Sequence, residues 1–152
     1  MSGFLLDTDV VSMLSPSRAD ASASFLAWLT RMDGEGRIFL SVVTIHEIEK
    51  GITLLEQKRA VAKAAGLRVW LSGLTATYAD KILGLDVSAA TISGRLEATA
   101  VAAGTDPGMA DAVIAGIAKT QGLSVVTLNA KHFLPFGVPV LMPEEAFPHM
   151  SP

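Results

Sequence analysis

The sequence predicts an α/β fold, a mostly parallel sheet of four to five strands with helices on both faces. Three observations predict it. Short, continuously apolar runs recur along the chain, as strands buried on both faces require. Segments with helical spacing of apolar residues separate them, and strands alternating with helices of this length build parallel sheets. The chain has 152 residues, 50% of them hydrophobic, which suits one compact core and is short for two domains of roughly 100–200 residues each.

Phe4-Leu5-Leu6 is the first strand and ends at the carboxylate of Asp7. From Asp20 to Met32, Phe25, Leu26, Trp28, Leu29 and Met32 fall close to one helical stripe, which Gly34 and Gly36 stop. Ile38 to Val43 is a second strand, rich in β-branched residues. Thr44 is placed to cap a helix running through Ile45, Ile48, Ile52 and Leu55, with Glu47 at the third residue after the cap, as in a capping box. Lys58 to Tyr78 is helical by composition, although Gly66 and Gly73 weaken it. Ile82-Leu83-Gly84-Leu85 is the third strand candidate. Asp86-Val87-Ser88 then opens an alanine-rich helix through Ile92, Leu96 and Val101 that ends near Gly104. Met109 to Thr120 is another helix, with Val113, Ile114, Ile117 and Ala118 inward and Gly122 just past its end. Leu123 to Thr127 is the clearest strand; Val138-Pro139-Val140-Leu141 is a fifth, which its proline puts at an edge. Residues 1–142 are thus expected to form a single domain, and 143–152 a short irregular tail.

Mean hydropathy is +0.44, yet no apolar run approaches the ~18–20 residues of a membrane-spanning helix. No cationic stretch precedes the first apolar segment, so a secretory signal is not expected. Cysteine is absent, which removes disulfides and thiolate metal sites. Together these features suit a cytoplasmic protein with no membrane partner. A net charge of −3 argues against a protein that coats nucleic acid through its overall field, while leaving room for an enzyme with a local basic groove. Lys50, Lys58, Arg59, Lys63 and Arg68 form a basic run that a solvated helix face and a nucleic-acid contact explain equally well.

In an open parallel sheet, ligands gather beyond the carboxyl ends of the strands. Asp7 and Asp9 follow the first strand, Glu47 lies one helical turn beyond the second, Asp111 starts a helix shortly before the fourth, and Asn129 follows the fourth. Taken singly, each acid is accounted for by the preference for carboxylates near helix starts. The combination demands more. If Asp7, Glu47 and Asp111 converge, carboxylates ~4 Å apart repel by about 4 kcal/mol at an effective dielectric of 20, so either a cation binds or one group stays protonated. A hard divalent ion is the natural partner. Mg²⁺ uses one or two protein carboxylates and leaves its other positions to water and substrate phosphate, and Mn²⁺ accepts the same donors. Such an ion makes a water easier to deprotonate and offsets charge on a scissile phosphate and the departing 3′ oxygen, which is phosphodiester hydrolysis.

Four blocks then carry a resemblance: Leu5-Leu6-Asp7-Thr8-Asp9-Val10-Val11-Ser12, Ser41-Val42-Val43-Thr44-Ile45-His46-Glu47-Ile48-Glu49-Lys50-Gly51, Asp111-Ala112-Val113-Ile114-Ala115-Gly116-Ile117-Ala118, and Val125-Val126-Thr127-Leu128-Asn129-Ala130-Lys131-His132-Phe133. In order and spacing, across roughly residues 4–142, they resemble VapC-type PIN-domain ribonuclease toxins of type II toxin-antitoxin systems, a group that includes FitB/StbB-like plasmid stability proteins. The resemblance implies a PIN-like three-layer α/β/α fold and Mg²⁺- or Mn²⁺-dependent endonucleolytic cleavage of RNA. It implies Asp7 and Asp111 as metal ligands, with Glu47 as the third acid, ligating directly or through water. Asp9 supports the first turn and the outer shell of the metal, and Thr8 and Thr127 match positions that orient carboxylates or water. It also implies a homodimer and a VapB-like antitoxin whose C-terminal segment covers the acidic site, expected in a groove near the Thr44 and Asp20 helices. The fourth block departs from the family: Leu128 replaces the usual arginine and His132 stands where a later acid is common. Asn129 can still hold a water or a phosphate, whereas His132 is expected to be a surface histidine.

Two rivals accompany this expectation. Asp7-Thr8-Asp9-Val10-Val11 also satisfies the opening motif of haloacid-dehalogenase-type phosphatases, with Asp7 as nucleophile, Asp9 as acid/base, and Asp106 and Asp111 mimicking their final acidic pair. That scheme needs a strand before Asp106, where the sequence reads as the end of a helix. The incomplete fourth block motivates the other rival, a PIN-like binding module with impaired catalysis.

Overall fold

The computed structural model describes residues 2–18 and 21–143. Five strands, β1 (Phe4–Leu6), β2 (Ile38–Ser41), β3 (Ile82–Leu83), β4 (Ser124–Val126) and β5 (Val140–Leu141), form one sheet in the order β3-β2-β1-β4-β5. Every pairing in it is parallel, and β5 is at an edge, where Pro139 has no N–H to contribute. The helices are α1 (Thr8–Ser12), α2 (Ala23–Gly34), α3 (Val42–Gln57), α4 (Val61–Thr77), α5 (Val87–Ala102), α6 (Met109–Gln121) and α7 (Ala130–Phe133).

The pleat explains why the strands read as unbroken apolar runs. Successive side chains leave opposite faces of the sheet, and both faces are covered. Leu6, Ile38, Leu40 and Val126 join Phe25, Trp28, Ile48, Ile52 and Leu71 from α2, α3 and α4. Leu5 and Val125 turn the other way, onto Ala89 of α5, Ala112, Ile114 and Ile117 of α6, and Phe133 and Phe136. The helices of that second face touch closely: a methyl group at Gly116 would stand 2.8 Å from the Ala89 carbonyl oxygen and 2.9 Å from the Ser93 nitrogen.

Several boundaries differ from the sequence expectation, each for a local reason. Strand β2 passes directly into α3: Ser41 is the cap, its Oγ accepting from the Thr44 N–H at 3.4 Å. Thr44 therefore lies inside the first turn, and the expected Thr44–Glu47 capping box does not form. Glu47 falls in the second turn with its side chain free to reach α1. In α2, the cap is Ser22, whose Oγ accepts from Phe25 N–H at 3.1 Å. The α2 stripe is Phe25, Trp28, Leu29 and Met32, while Leu26 is 42% exposed. Gly66 and Gly73 do not interrupt α4, because its buried Ala64 and Leu71, with Leu67, Trp70 and Leu74 packed on the same cluster, outweigh two glycines. Strand β3 stops at Leu83, short of Gly84 and Leu85. Asp20, and the expected tail apart from Pro143, lie outside the described residues.

The sheet order positions the site. From the central β1 the chain moves to β2 on one side and later returns to β4 on the other. The connections leaving the carboxyl ends of β1 and β4 therefore part, and a crevice opens between them.

Candidate active site

Asp7 follows β1 immediately and caps α1. It is only 8% exposed; its Oδ1 accepts from the Thr8 N–H at 2.8 Å and its Oδ2 from the Thr127 hydroxyl at 2.9 Å. Thr127 is fully buried and directly follows β4, so this bond ties the two central strand ends together across the crevice. Asp9, one helical residue further, strengthens the tie. Its Oδ2 accepts from Leu128 N–H at 3.1 Å and from the Asn129 side-chain amide at 2.9 Å, with Thr127 Oγ1 at 3.3 Å. The Asn129 N–H donates to Thr127 Oγ1 at 3.0 Å.

Glu47 reaches the same cluster from α3. The Thr8 hydroxyl donates to Glu47 Oε1 at 2.6 Å, and Thr44 Oγ1 lies 2.9 Å from Thr8 Oγ1. With its proton committed to Glu47, Thr8 accepts from Thr44, so the buried Thr44 hydroxyl is satisfied without a capping role. Asp111, in the first turn of α6, completes the set, and His132 Nδ1 lies 3.6 Å from its Oδ2. Hydrogen bonds thus join six of the residues singled out in the sequence (Asp7, Thr8, Asp9, Glu47, Thr127 and Asn129) into one cluster, and Asp111 stands close enough to interact with it through charge. Two further participants are not evident from the sequence. Thr44 has the pattern of a cap, and His132 that of a surface side chain; it is exposed, but α7 folds it back toward Asp111.

Charge dominates the chemistry. Burial, then the neighbouring Asp9 and more weakly Asp111, push the Asp7 carboxyl up to about 7, although the hydrogen bonds from Thr127 and Thr8 oppose the rise. Burial also raises Asp111; His132 counters it, while Glu47 and Asp9 add to it. The acids therefore feel one another, yet among the described residues no three acidic or imidazole groups close around a single point. Thr8 anchors Glu47, and Thr8 and Thr127 together anchor Asp7. The donors nevertheless fit a hard divalent cation. They are all oxygens, Asp9 Oδ1 is buried without a hydrogen-bond partner, and Mg²⁺ needs only one or two carboxylates beside water and phosphate. Asp7 and Asp111 are the residues that could hold it, with Glu47 adjoining.

The phosphatase frame fails on geometry. Asp106 is an exposed loop residue after α5, with no strand before it.

The sequence profile of the PIN domain matches residues 4–134. Plasmid stability protein StbB of Pseudomonas syringae pv. tomato is 33% identical over 143 residues, spanning 93% of this chain and 99% of that protein. Among solved structures, FitAcB from Neisseria gonorrhoeae superposes with a TM-score of 0.78 at 30% identity, covering 93% of this chain and 98% of its own. DNA-bound VapBC from Salmonella typhimurium does so with a TM-score of 0.75 at 25% identity, covering 94% and 99%. The parallel sheet, the acids gathered where its strand order reverses, and a profile match running through all four blocks agree: the chain belongs to the PIN-domain family.

Proposed function

We propose that this chain is a divalent-metal-dependent endoribonuclease and the toxin of a VapBC- or FitAB-type toxin-antitoxin pair. The observation that carries the reading is the cluster itself: the buried Asp7, bonded to Thr8 and Thr127, stands beside Asp9, with Glu47 tied to the same Thr8. Such an arrangement costs stability unless a cation relieves it. In this reading Asp7 and Asp111 hold Mg²⁺, with Mn²⁺ as the alternative, and Glu47 joins them directly or through water. When bound, the ion lowers the pKa of a water and offsets charge on the scissile phosphate. The chain's own groups do the rest. Thr127 and the Thr8 N–H fix Asp7, and the Thr8 hydroxyl fixes Glu47 through Oε1, which leaves the other oxygen of Glu47 to take a proton from the attacking water. Asn129 and the Leu128 N–H hold Asp9, keeping the β4 loop against the crevice.

A VapB-like antitoxin fits a groove between α1, α3 and α4. Its lining includes Ile48, Ile52, Leu55, Leu67 and Trp70, together with Glu47. The groove lies beside α4 rather than α2, because the apolar face of α2 is already buried against the sheet. A second copy of the chain would pair on the exposed apolar face of Val42, Leu85 and Met109. No helix among the described residues is long and apolar enough to cross a membrane.

The test is cleavage of mixed cellular RNA by wild type and Asp111→Asn, with and without EDTA. Cutting only by wild type, and only with metal, supports the reading; EDTA-resistant cutting, or equal cutting by the variant, overturns it. One observation favours a second reading. In the fourth block, Asn129 spends its amide on Asp9 and adds no carboxylate, as a non-catalytic binding module would tolerate. That reading expects Asp7→Asn to leave growth inhibition unchanged.

A further inference from the structure

The acidic crevice has to accept a polyanion, and the net charge of −3 gives no assistance. Two recesses flank the first turn of α6. One is bounded by His46, Glu47, Lys50 and Ala110, the other by Asp106, Asp111, Lys131 and His132. Glu47 borders the first and Asp111 the second, so a strand joining the two passes over the carboxylates. Lys50 stands three residues beyond Glu47 on the same helix, a spacing that puts the two side chains side by side. Lys131 stands in α7, next to His132, which touches Asp111.

Both lysines are exposed, and among the described residues neither has a carboxylate within 4.0 Å. Two other members of the basic run around Lys50 are engaged elsewhere. Arg68 is held by Glu49 and Glu56 at 3.0 Å each, and Lys63 borders the separate apolar groove beside α4. Of the run, Lys50 is the member that lines the recess beside Glu47 and Ala110.

We infer that Lys50 and Lys131 form a two-point clamp, gripping backbone phosphates on either side of the scissile bond and laying a single RNA strand across Glu47 and Asp111. The inference rests on the nuclease reading above. An ammonium on a flexible stem suits such a clamp, because it tracks a phosphate as a point charge and reads no base. It places the strand without setting its sequence, and it offsets the repulsion that the acids impose on an approaching phosphate.

The test uses the full chain and a fluorescein-labelled single-stranded RNA about twelve nucleotides long, with binding followed by anisotropy over a range of salt concentrations and Ca²⁺ replacing Mg²⁺. Each phosphate contact on a single strand contributes a slope of about −0.7 in log K against log salt. Lys50→Ala and Lys131→Ala should each flatten the slope by about 0.7, and the double variant by about 1.4, while the arginine replacements retain it. Lys119→Ala, at the opposite end of α6, should change nothing. In Mg²⁺, the alanine variants should raise KM while kcat stays within about twofold. Unchanged slopes in both alanine variants, beside metal-dependent cutting by wild type, would remove the clamp and leave the nuclease reading standing. Wild type that neither binds nor cuts RNA would remove both. Variants that bind RNA normally but lose the antitoxin would reassign the lysines to a protein contact and overturn the clamp.

Discussion

Asp7→Asn should abolish RNA cleavage and at the same time make the metal-free protein more stable. The wild-type carboxyl is buried beside Asp9, and its pKa is raised from 3.8 to about 7. Between those values the folded chain keeps a proton that the unfolded chain has released, so stability falls as pH rises through that window and levels off above it. Above pH about 7 the whole shift of roughly 3 units counts against folding, which at about 1.36 kcal/mol per unit is a ceiling of about 4 kcal/mol. Water entering the crevice screens part of this, so the expected gain is about 2 kcal/mol, or about 4–8 °C in Tm for a chain of this size. The substitution costs little elsewhere: the amide oxygen still accepts from the Thr8 N–H, and its NH₂ can donate to Thr127 Oγ1, whose own hydrogen then turns to Asp9. Thermal unfolding of both proteins in EDTA, from pH about 4 to about 8.5, measures the effect through its linkage to proton binding. The two curves should meet at the acid end and separate progressively toward neutrality. A variant less stable than wild type at the alkaline end, or a difference independent of pH, would refute the reasoning. Mg²⁺ should narrow the alkaline gap, because it stabilises only the folded wild type.

Gly116→Ala should destabilise by about 1–3 kcal/mol, since the added methyl meets the α5 backbone at 2.8 Å; chemical denaturation would show it. Gly66→Ala and Gly73→Ala should act oppositely, each stabilising by about 0.5–1 kcal/mol in the same assay, because both sites are helical with open space around them. Asp86→Ala should cost about 1 kcal/mol by removing the acceptor that meets Ala89 N–H at 2.8 Å. Thr8→Val should lower kcat at least about tenfold, since it frees Glu47 from its 2.6 Å anchor, and should cost about 1–3 kcal/mol of stability because the buried Thr44 hydroxyl loses its partner; equal kcat in steady-state assays would show that Glu47 needs no such positioning.

The strands were legible in the sequence because each is buried on both faces, and double burial leaves an unbroken apolar run such as Phe4-Leu5-Leu6 or Val125-Val126. Asp7 was legible for a related reason: it stands directly after such a run, at the end of a strand where open parallel sheets bind ligands. Boundaries were harder. Ser41 and Thr44 are both good caps, and the choice between them depends on where β2 ceases to pair with β3, a contact with residues some forty positions away. Gly66 and Gly73 have the pattern of helix breakers in a helix that packing against α3 sustains.

By itself, then, the sequence determined the order of the strands and of the longer helices, and which side chains carry negative charge, because these follow from local spacing and burial pattern. Only the tertiary structure decided that Thr127 bridges Asp7 and Asp9, that Thr8 holds Glu47, that His132 faces Asp111, and that Gly116 must lack a side chain. Those facts arise from contacts between segments distant in the chain. Their geometry is set by the strand order and by how closely helices approach, and no local pattern encodes either.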